Sequence, residues 1–434
     1  MSTNPLPTVP HLTTALNGPL EELEQLLLTH QSCIETWLRS EWLKTPAPFY
    51  TSVDLRNSGF KLSPVDTNLF PAGFNNLNPA FLPLCIQVMQ TMLEKACEDA
   101  RNILLIPENH TRNLFYLESL VTLRDIISKA GYHVRIGSLI PDLQEATTLD
   151  LPSGKQVCLE PIQRINGRIY VDDFDPCLIL LNNDLIEGLP DILQGLQQMI
   201  LPPPALGWSD RLKSDHFTHY QQVAEEFSRL IDIDPWLINP LFRNCGELNI
   251  MQTGDSDCLA KNVAPLLENI QKKYDEYGIT KKPFVIIKAD AGTYGMGIIT
   301  AHSVDEVRQL NRKQRTKLAS TKGGHSVSKV LIQEGVYTFE TWGKEESVAE
   351  PVVYMIDHFV VGGFYRVHTS RGINENLNAP GMHFQPLAFV ESCNNPDQTQ
   401  EPDAEPNRFY AYGVISRLAM LAAAREIAEH TTSE

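Results

Sequence analysis

The run Phe284–Ile299 reads FVIIKADAGTYGMGII. Its β-branched, apolar start is that of a buried strand. This strand delivers Lys288 and Asp290, then Gly292, Thr293, Tyr294, Gly295 and Gly297. Glycines let backbone N–H groups approach a phosphate closely, and a lysine adds a point charge. A Walker loop places its lysine after the glycines, and a dinucleotide fold spaces them G-x-G-x-x-G. Here the lysine comes first and the spacing is G-x-x-G-x-G. The chemistry indicated is phosphate binding by a strand lysine and a glycine flap. On these residues alone, a strand followed by a turn is the plainer alternative.

Other residues extend the first reading. Gln333-Glu334-Gly335 ends an apolar run some forty residues later. There it offers backbone groups to a base edge and an acid to ribose hydroxyls. Asp66 and Asn68 are spaced so that both side chains share a face of an extended segment. Hard oxygen donors of this kind suit Mg²⁺, with Asp290 as a third candidate, or else they cap a turn. Asp54 and Arg56 also share a face. They either pair with each other or leave Arg56 as a fork for a substrate carboxylate. Arg366 is a second fork, followed by the small-residue loop of Asn376 and Asn378. Arg112 and Asn113 open a helix after a strand, where open α/β sheets bind ligands. His216 and His219 read as a helix-surface pair, and Arg211 and Lys213 beside them could reach an anion, although lone basic residues more commonly just solvate. No H-E-x-x-H or G-x-S-x-G occurs.

The elements that must position these residues follow from periodicity. The sequence predicts amphipathic helices over 20–43, strands at 52–56 and 60–62, and a loop from 64 to 76. A helix over 79–100 precedes a βαβ unit: strand 102–106, helix 113–130, strand 133–136. Short strands are predicted within 150–182 and helices over 185–232, broken by Pro202-Pro203-Pro204. Another helix follows Lys261, and one spans 304–319. Strands are predicted at 329–334, 350–356 and 359–367, and an amphipathic helix closes at 411–430. The expected units are a helical segment (1–47), a metal-loop segment (48–100), a βαβ substrate domain (101–200) and a nucleotide domain (201–434).

The chain has 434 residues and a formal net charge of −17. That balance opposes nucleic-acid binding, which needs a basic surface. Eight cysteines lie scattered without a C-x-x-C, which excludes zinc-ribbon and thioredoxin readings and suits reduced thiols. The N-terminus lacks the basic and apolar regions of a signal peptide, and no apolar run approaches the length of a membrane span. A cytoplasmic enzyme is expected.

The stretches VDLRNSGFKLSPVDTNLFPAGFNNL and KADAGTYGMG resemble the proteobacterial glutamate–cysteine ligase family over about residues 48–390. The order of parts is similar to eukaryotic glutathione synthetase, a circularly permuted ATP-grasp enzyme. The resemblance implies an α/β (α+β) ATP-grasp fold with an inserted parallel-sheet substrate domain. It implies ATP as co-substrate with Mg²⁺ or Mn²⁺, glutamate and cysteine as substrates, and a possible homo-oligomer. By its pattern Asp66, Asn68 and Asp290 hold the metal. Lys288, the flap glycines, Gln333 and Glu334 bind ATP, and Lys261 is the expected upstream nucleotide lysine. Asp54, Arg56, Arg112, Asn113, Arg366, Asn376 and Asn378 bind substrate, with Lys288 and Arg366 catalytic. The sequence departs from the ATP-grasp pattern where Asp66 replaces the usual Glu. Thr293 and Tyr294 replace glycine in the flap. Another amide ligase, a carboxylate kinase and a nucleotide-binding module without turnover are the competing readings.

Overall fold

Period-two alternation of buried apolar residues organises the centre of the chain. The computed structural model describes residues 12–13, 19–98, 101–109, 112–209, 211–247, 255–291, 298–319, 329–387 and 408–432. The long hairpin Ser347–Ile356 and Phe359–His368 forms the middle of a seven-stranded antiparallel sheet. Tyr50–Asn57 joins its flank and pairs in turn with Leu62–Asn68. One face of this sheet carries Val53, Leu55, Val353, Tyr365 and Val367 into the largest core. The other face carries Val352, Tyr354 and Phe364 into a second core and, farther along, Asp54, Arg56, Glu350 and Arg366.

The βαβ unit forms as its pattern predicts. Asn102–Pro107 and His133–Ser138 pair in parallel around the helix Leu114–Lys129. They belong to a six-stranded sheet confined to residues 102–201. A third sheet, four-stranded and antiparallel, carries the lysine strand Val285–Ala289 between Ile299–Ala301 and Lys329–Glu334.

Several expectations change. The segment read as a loop from 64 begins as the strand Leu62–Asn68. The helical reading of 185–212 fails. That stretch holds one-turn helices and the strand Met199–Leu201, because Gly188 and Gly195 sit at positive φ and prolines remove backbone donors. Helix begins only at Lys213. The strand Phe242–Glu247 is an addition to the sequence reading. The helix predicted over 304–319 is two short ones, Val304–Arg308 and Arg312–Ala319. The closing helix Arg408–Thr432 is not amphipathic. It is buried on all sides from Tyr410 to Ala424, as befits an element packed between layers. The flap residues Gly292, Thr293, Tyr294, Gly295 and Gly297 lie outside the described residues, as does the loop 321–326.

The hairpin carries an irregularity that matters for the site. Pairing runs Ile356↔Phe359 and Met355↔Val360, then shifts so that Tyr354 faces Gly362. Val361 is the extra residue of this bulge. Gly363 beyond it admits no side chain, since a Cβ there would lie 2.5 Å from the Val352 carbonyl oxygen. Gly363→Ala is therefore expected to destabilise the protein by about 1–3 kcal/mol through overpacking of backbone that cannot move aside. A thermal midpoint equal to that of the unsubstituted protein would contradict this.

Candidate functional site

The seven-stranded sheet, the four-stranded sheet and the helix Lys213–Ile231 meet around a cleft of about 890 Å³. Its walls include Asp54, Arg56, Asp66, Lys213, Lys288, Gln333, Glu350, Arg366, Asn376 and Asn378. The early acidic strand and the lysine strand thus converge. Lys288 donates to the carbonyl of Val65 at 2.8 Å and to Oε1 of Gln333 at 2.9 Å. Val65 is free to accept because it is the extra residue of a second bulge, where the register passes from Asp54↔Asp66 to Leu55↔Pro64. Gln333 lies two positions along from Leu331, the direct partner of Lys288, so the two side chains share a face.

Lys213, for which solvation is the plainer sequence reading and contact with an anion the alternative, lines the cleft. Lys213 is buried at the first turn of its helix, 2.8 Å from Asp66 Oδ1 and 3.9 Å from the centre of the Trp208 ring. Lys261, the expected upstream lysine, is exposed on the helix Asp255–Glu276 and lines no part of the cleft. The correction follows from the mistaken helix over 185–212, which hid the fact that Lys213 starts a helix aimed at the acidic strand. His216 is likewise buried, not on the surface. It touches the Thr67 hydroxyl at 2.9 Å and Glu426 at 3.3 Å. Arg211 joins Glu426 at 2.7 Å and the Thr67 carbonyl at 2.8 Å.

The charges are strongly biased by one another. Burial pushes the Asp66 carboxyl up, but Lys213 and Lys288 hold it well below the usual carboxylate range. Burial pulls Lys288 down to about 8, against the attraction of Asp66 and with the repulsion of Lys213. Burial raises Asp54, Arg366 opposes this, and Glu350 adds to it.

The arginines form a separate network. Arg366 Nη1 donates to Asp54 Oδ2 at 2.8 Å and to Glu350 Oε1 at 2.5 Å. Its Nε is buried without a partner. Arg56 does not pair with Asp54. Its Nε meets Glu350 Oε2 at 3.1 Å, and its other nitrogens meet the carbonyls of Val336 and Glu375. Glu350, absent from the sequence reading, is therefore the acid shared by both forks. The hairpin was legible, but the bulge at Val361 decides that Arg366, not Tyr365, lies opposite Glu350. The Gly362-Gly363 pair is the one signal that pointed to a bulge.

The remaining candidates have other contacts. Asn68 Oδ1 accepts from the Phe70 N–H at 2.9 Å, and Asp290 accepts from the Ser214 N–H and hydroxyl at 2.8 and 2.7 Å, capping the helix that carries Lys213. Neither lines the cleft, and among the described residues no three His, Cys, Asp or Glu side chains gather as a metal cluster. Glu334 lines the cleft, but its carboxylate is engaged by Lys61, Trp236 and the Leu241 N–H. Asn113 caps its helix through Tyr116, and Arg112 is exposed. Both lie away from the cleft lining. No helix among the described residues is long and apolar enough to cross a membrane.

Two lysines and two arginines on one cleft give it the charges to hold a polyanion beside a carboxylate. The chain belongs to the glutamate–cysteine ligase family, whose model, described as GshA: Glutamate-cysteine ligase, matches residues 24–427. A crystal structure from Methylobacillus flagellatus KT, provisionally named a gamma-glutamylcysteine synthetase, is 60% identical over 98% of this chain and 100% of that one, with a TM-score of 0.90. A glutathione synthetase-like effector (GSS30) from Globodera pallida, in its apo form, is 10% identical over 89% of this chain and 90% of its own, with a TM-score of 0.42. D-alanyl-alanine synthetase A from Vibrio cholerae is 10% identical over 74% and 81%, with a TM-score of 0.34. These last two values establish no shared fold. No curated protein matches the chain.

The buried lysine has a measurable signature. Lys288 is expected to lose its proton near pH 8, whereas the unfolded chain keeps that proton to about 10.5. Between those values the unfolded state binds more protons, so the contribution of Lys288 to stability rises with pH across that window. NMR titration of the lysine Cε resonances checks this. Asp66→Asn is expected to lower the midpoint further, because Asp66 favours the ammonium. A midpoint at 10 or above in the unsubstituted protein would refute the burial argument.

Proposed function

We infer that the cleft joins L-glutamate to L-cysteine with hydrolysis of ATP to ADP, as in the family to which the chain belongs. The observation that carries this reading is the meeting of Lys288, Lys213 and Asp66 at one end of a cleft whose other end holds Arg366 and Asn376–Asn378. In our reading the fold is of the ATP-grasp type and circularly permuted, with residues 101–200 inserted as a substrate-binding unit. The order of parts supports it: acidic strands first, a parallel sheet next, the lysine strand and glycine run after. The free thiols among the described cysteines are in keeping with a reducing cytoplasm.

The proposed chemistry proceeds through an acyl phosphate. An oxygen of the glutamate γ-carboxylate attacks the γ-phosphorus of ATP, and ADP leaves. Lys288 and Lys213 offset the negative charge on the phosphate oxygens. The neutral amine of cysteine then attacks the γ-carbonyl, and phosphate leaves. The protein supplies positioning and electrostatics, not a nucleophile of its own.

Mg²⁺ fits the donors present. Asp66 has a half-exposed carboxylate held in its charged form, directly across the strand pair from Asp54. Mg²⁺ commonly takes one or two carboxylates, with phosphate oxygens and waters completing its shell. Asp66 is the proposed primary ligand, and Mn²⁺ would suit the same oxygens. Asn68 and Asp290 remain proposed ligands only if they exchange their present contacts. When bound, the ion would neutralise and orient phosphate oxygens.

Incubation with ATP, Mg²⁺, glutamate and cysteine is expected to yield γ-glutamylcysteine and ADP, and ADP release that ignores cysteine would reject the assignment. Lys288→Ala is expected to lower kcat/KM about 10²-fold or more. Lys213→Ala should raise the KM for ATP about tenfold while Lys261→Ala leaves it within about twofold. The reverse order would restore Lys261 as the nucleotide lysine. Asp66→Asn should shift the Mg²⁺ activation curve to higher concentration, and an unmoved curve removes Asp66 from the ligand set.

A further inference from the structure

We infer that Asp54 and Arg366 form the subsite for the α-amino-acid head group of glutamate, that Glu350 positions it, and that Asp54 protects the activated substrate from its own α-nitrogen. This rests on the ligase reading above. Three observations carry it. Arg366 uses Nη1 for Asp54 and Glu350, while its Nε is buried with no partner. An unpaired buried donor is costly, and a guanidinium edge is shaped to receive a carboxylate. Among the described residues only Oδ2 of Asp54 is engaged, which leaves Oδ1 to accept from an ammonium. The dyad thus offers a donor and an acceptor side by side on the wall of the cleft.

The charge count agrees. Arg56 and Arg366 are balanced by Asp54 and Glu350, so this end is neutral. Among the charges that line the cleft, Lys213 and Lys288 against Asp66 leave the other end with one positive charge, since the carboxylate of Asp290 is turned away to the helix start at Ser214. A phosphate belongs at the positive end. A dipolar head group, itself neutral, belongs at the end with two charges of each sign. That head group is glutamate's and not cysteine's, because the cysteine nitrogen must reach the acyl phosphate without a proton, and a nitrogen held as ammonium on a carboxylate has no free electron pair.

The same property has a protective effect. In γ-glutamyl phosphate the unprotonated α-amine can attack the γ-carbonyl carbon. A C–N bond then closes a lactam, the C–O bond to phosphorus-bearing oxygen breaks, and phosphate leaves with the electron pair. The proton lost from nitrogen passes to solvent, and 5-oxoproline results. An α-ammonium on Asp54 cannot begin this reaction. Glu350 acts through the arginines: it touches Arg56 Nε and Arg366 Nη1, and both forks are buried with it.

The test measures ADP, 5-oxoproline and γ-glutamylcysteine from ATP, Mg²⁺ and labelled glutamate, with and without cysteine. Asp54→Asn is expected to raise the glutamate KM about tenfold, leave the ATP KM within about twofold, and raise 5-oxoproline per ADP about fivefold. Asp54→Glu should recover part of each change. Glu350→Gln should raise the glutamate KM, with Glu350→Asp recovering part of it. An Asp54→Asn enzyme with an unchanged glutamate KM and an unchanged 5-oxoproline ratio overturns the inference. A measurement on the unsubstituted protein covers the case in which that variant does not fold. Glutarate, which lacks the ammonium, should compete with glutamate at least about tenfold more weakly than unlabelled glutamate does, and equal competition overturns the inference. Failure to form γ-glutamylcysteine at all would instead defeat the ligase reading, while the glutarate comparison still judges the subsite.

Discussion

Lys213 and Lys288 reach the strand Leu62–Asn68 from two distant parts of the chain, one bonding Asp66 and the other the Val65 carbonyl. Two ammonium groups drawn out of water must find oxygen partners, since an isolated buried charge costs many kcal/mol. The strand supplies them within two consecutive residues, and the bulge at Val65 is what turns its carbonyl and the Asp66 side chain to the same cavity. The cleft exists where these three segments cross.

The short segment from Arg211 to His216 holds that crossing in place. Arg211 and His216 bond Thr67, the neighbour of Asp66, directly, and the buried carboxylate of Glu426 engages both of them. Burial raises that carboxyl, but Arg211 and His216 hold it well below its usual range, so it stays charged. Lys213 and Ser214 bond Asp290 at the end of the lysine strand. Six residues therefore tie the acidic strand, the lysine strand and the central C-terminal helix together. A helix whose N-terminal amides meet Asp290 is also correctly oriented for its dipole.

Electrostatic division of the cleft follows from the sheets. The lysines come from the four-stranded sheet and the helix beside it, whereas Asp54, Arg56, Glu350 and Arg366 all stand on one face of the seven-stranded sheet. Each arginine is held by an acid on a neighbouring strand, so the forks keep a fixed orientation while the lysines bond Asp66 and the Val65 carbonyl.

By itself, the sequence determined the lysine strand, the strand that carries Asp54 and Arg56, the parallel βαβ unit and the family, because each depends on residue types at short spacing; that Asp66 stands on a strand and not in a loop was decided by its pairing with Asp54. It also indicated that Arg366 and the loop through Asn378 belong to the site. Tertiary structure alone decided which side chains meet. Lys213 and not Lys261 lines the cleft, because helix start depends on where Gly188, Gly195 and the prolines stop the preceding chain from coiling. Glu350 became the shared acid because a one-residue bulge at Val361 turns Arg366 from the core face to the cleft face, and a period of two makes any such slip reverse the face of every residue beyond it. Asp290 and Glu334, chemically suited to a ligand, face a helix start and a buried lysine instead, since the carboxylate that lies nearest an unpaired donor inside the protein is drawn to it.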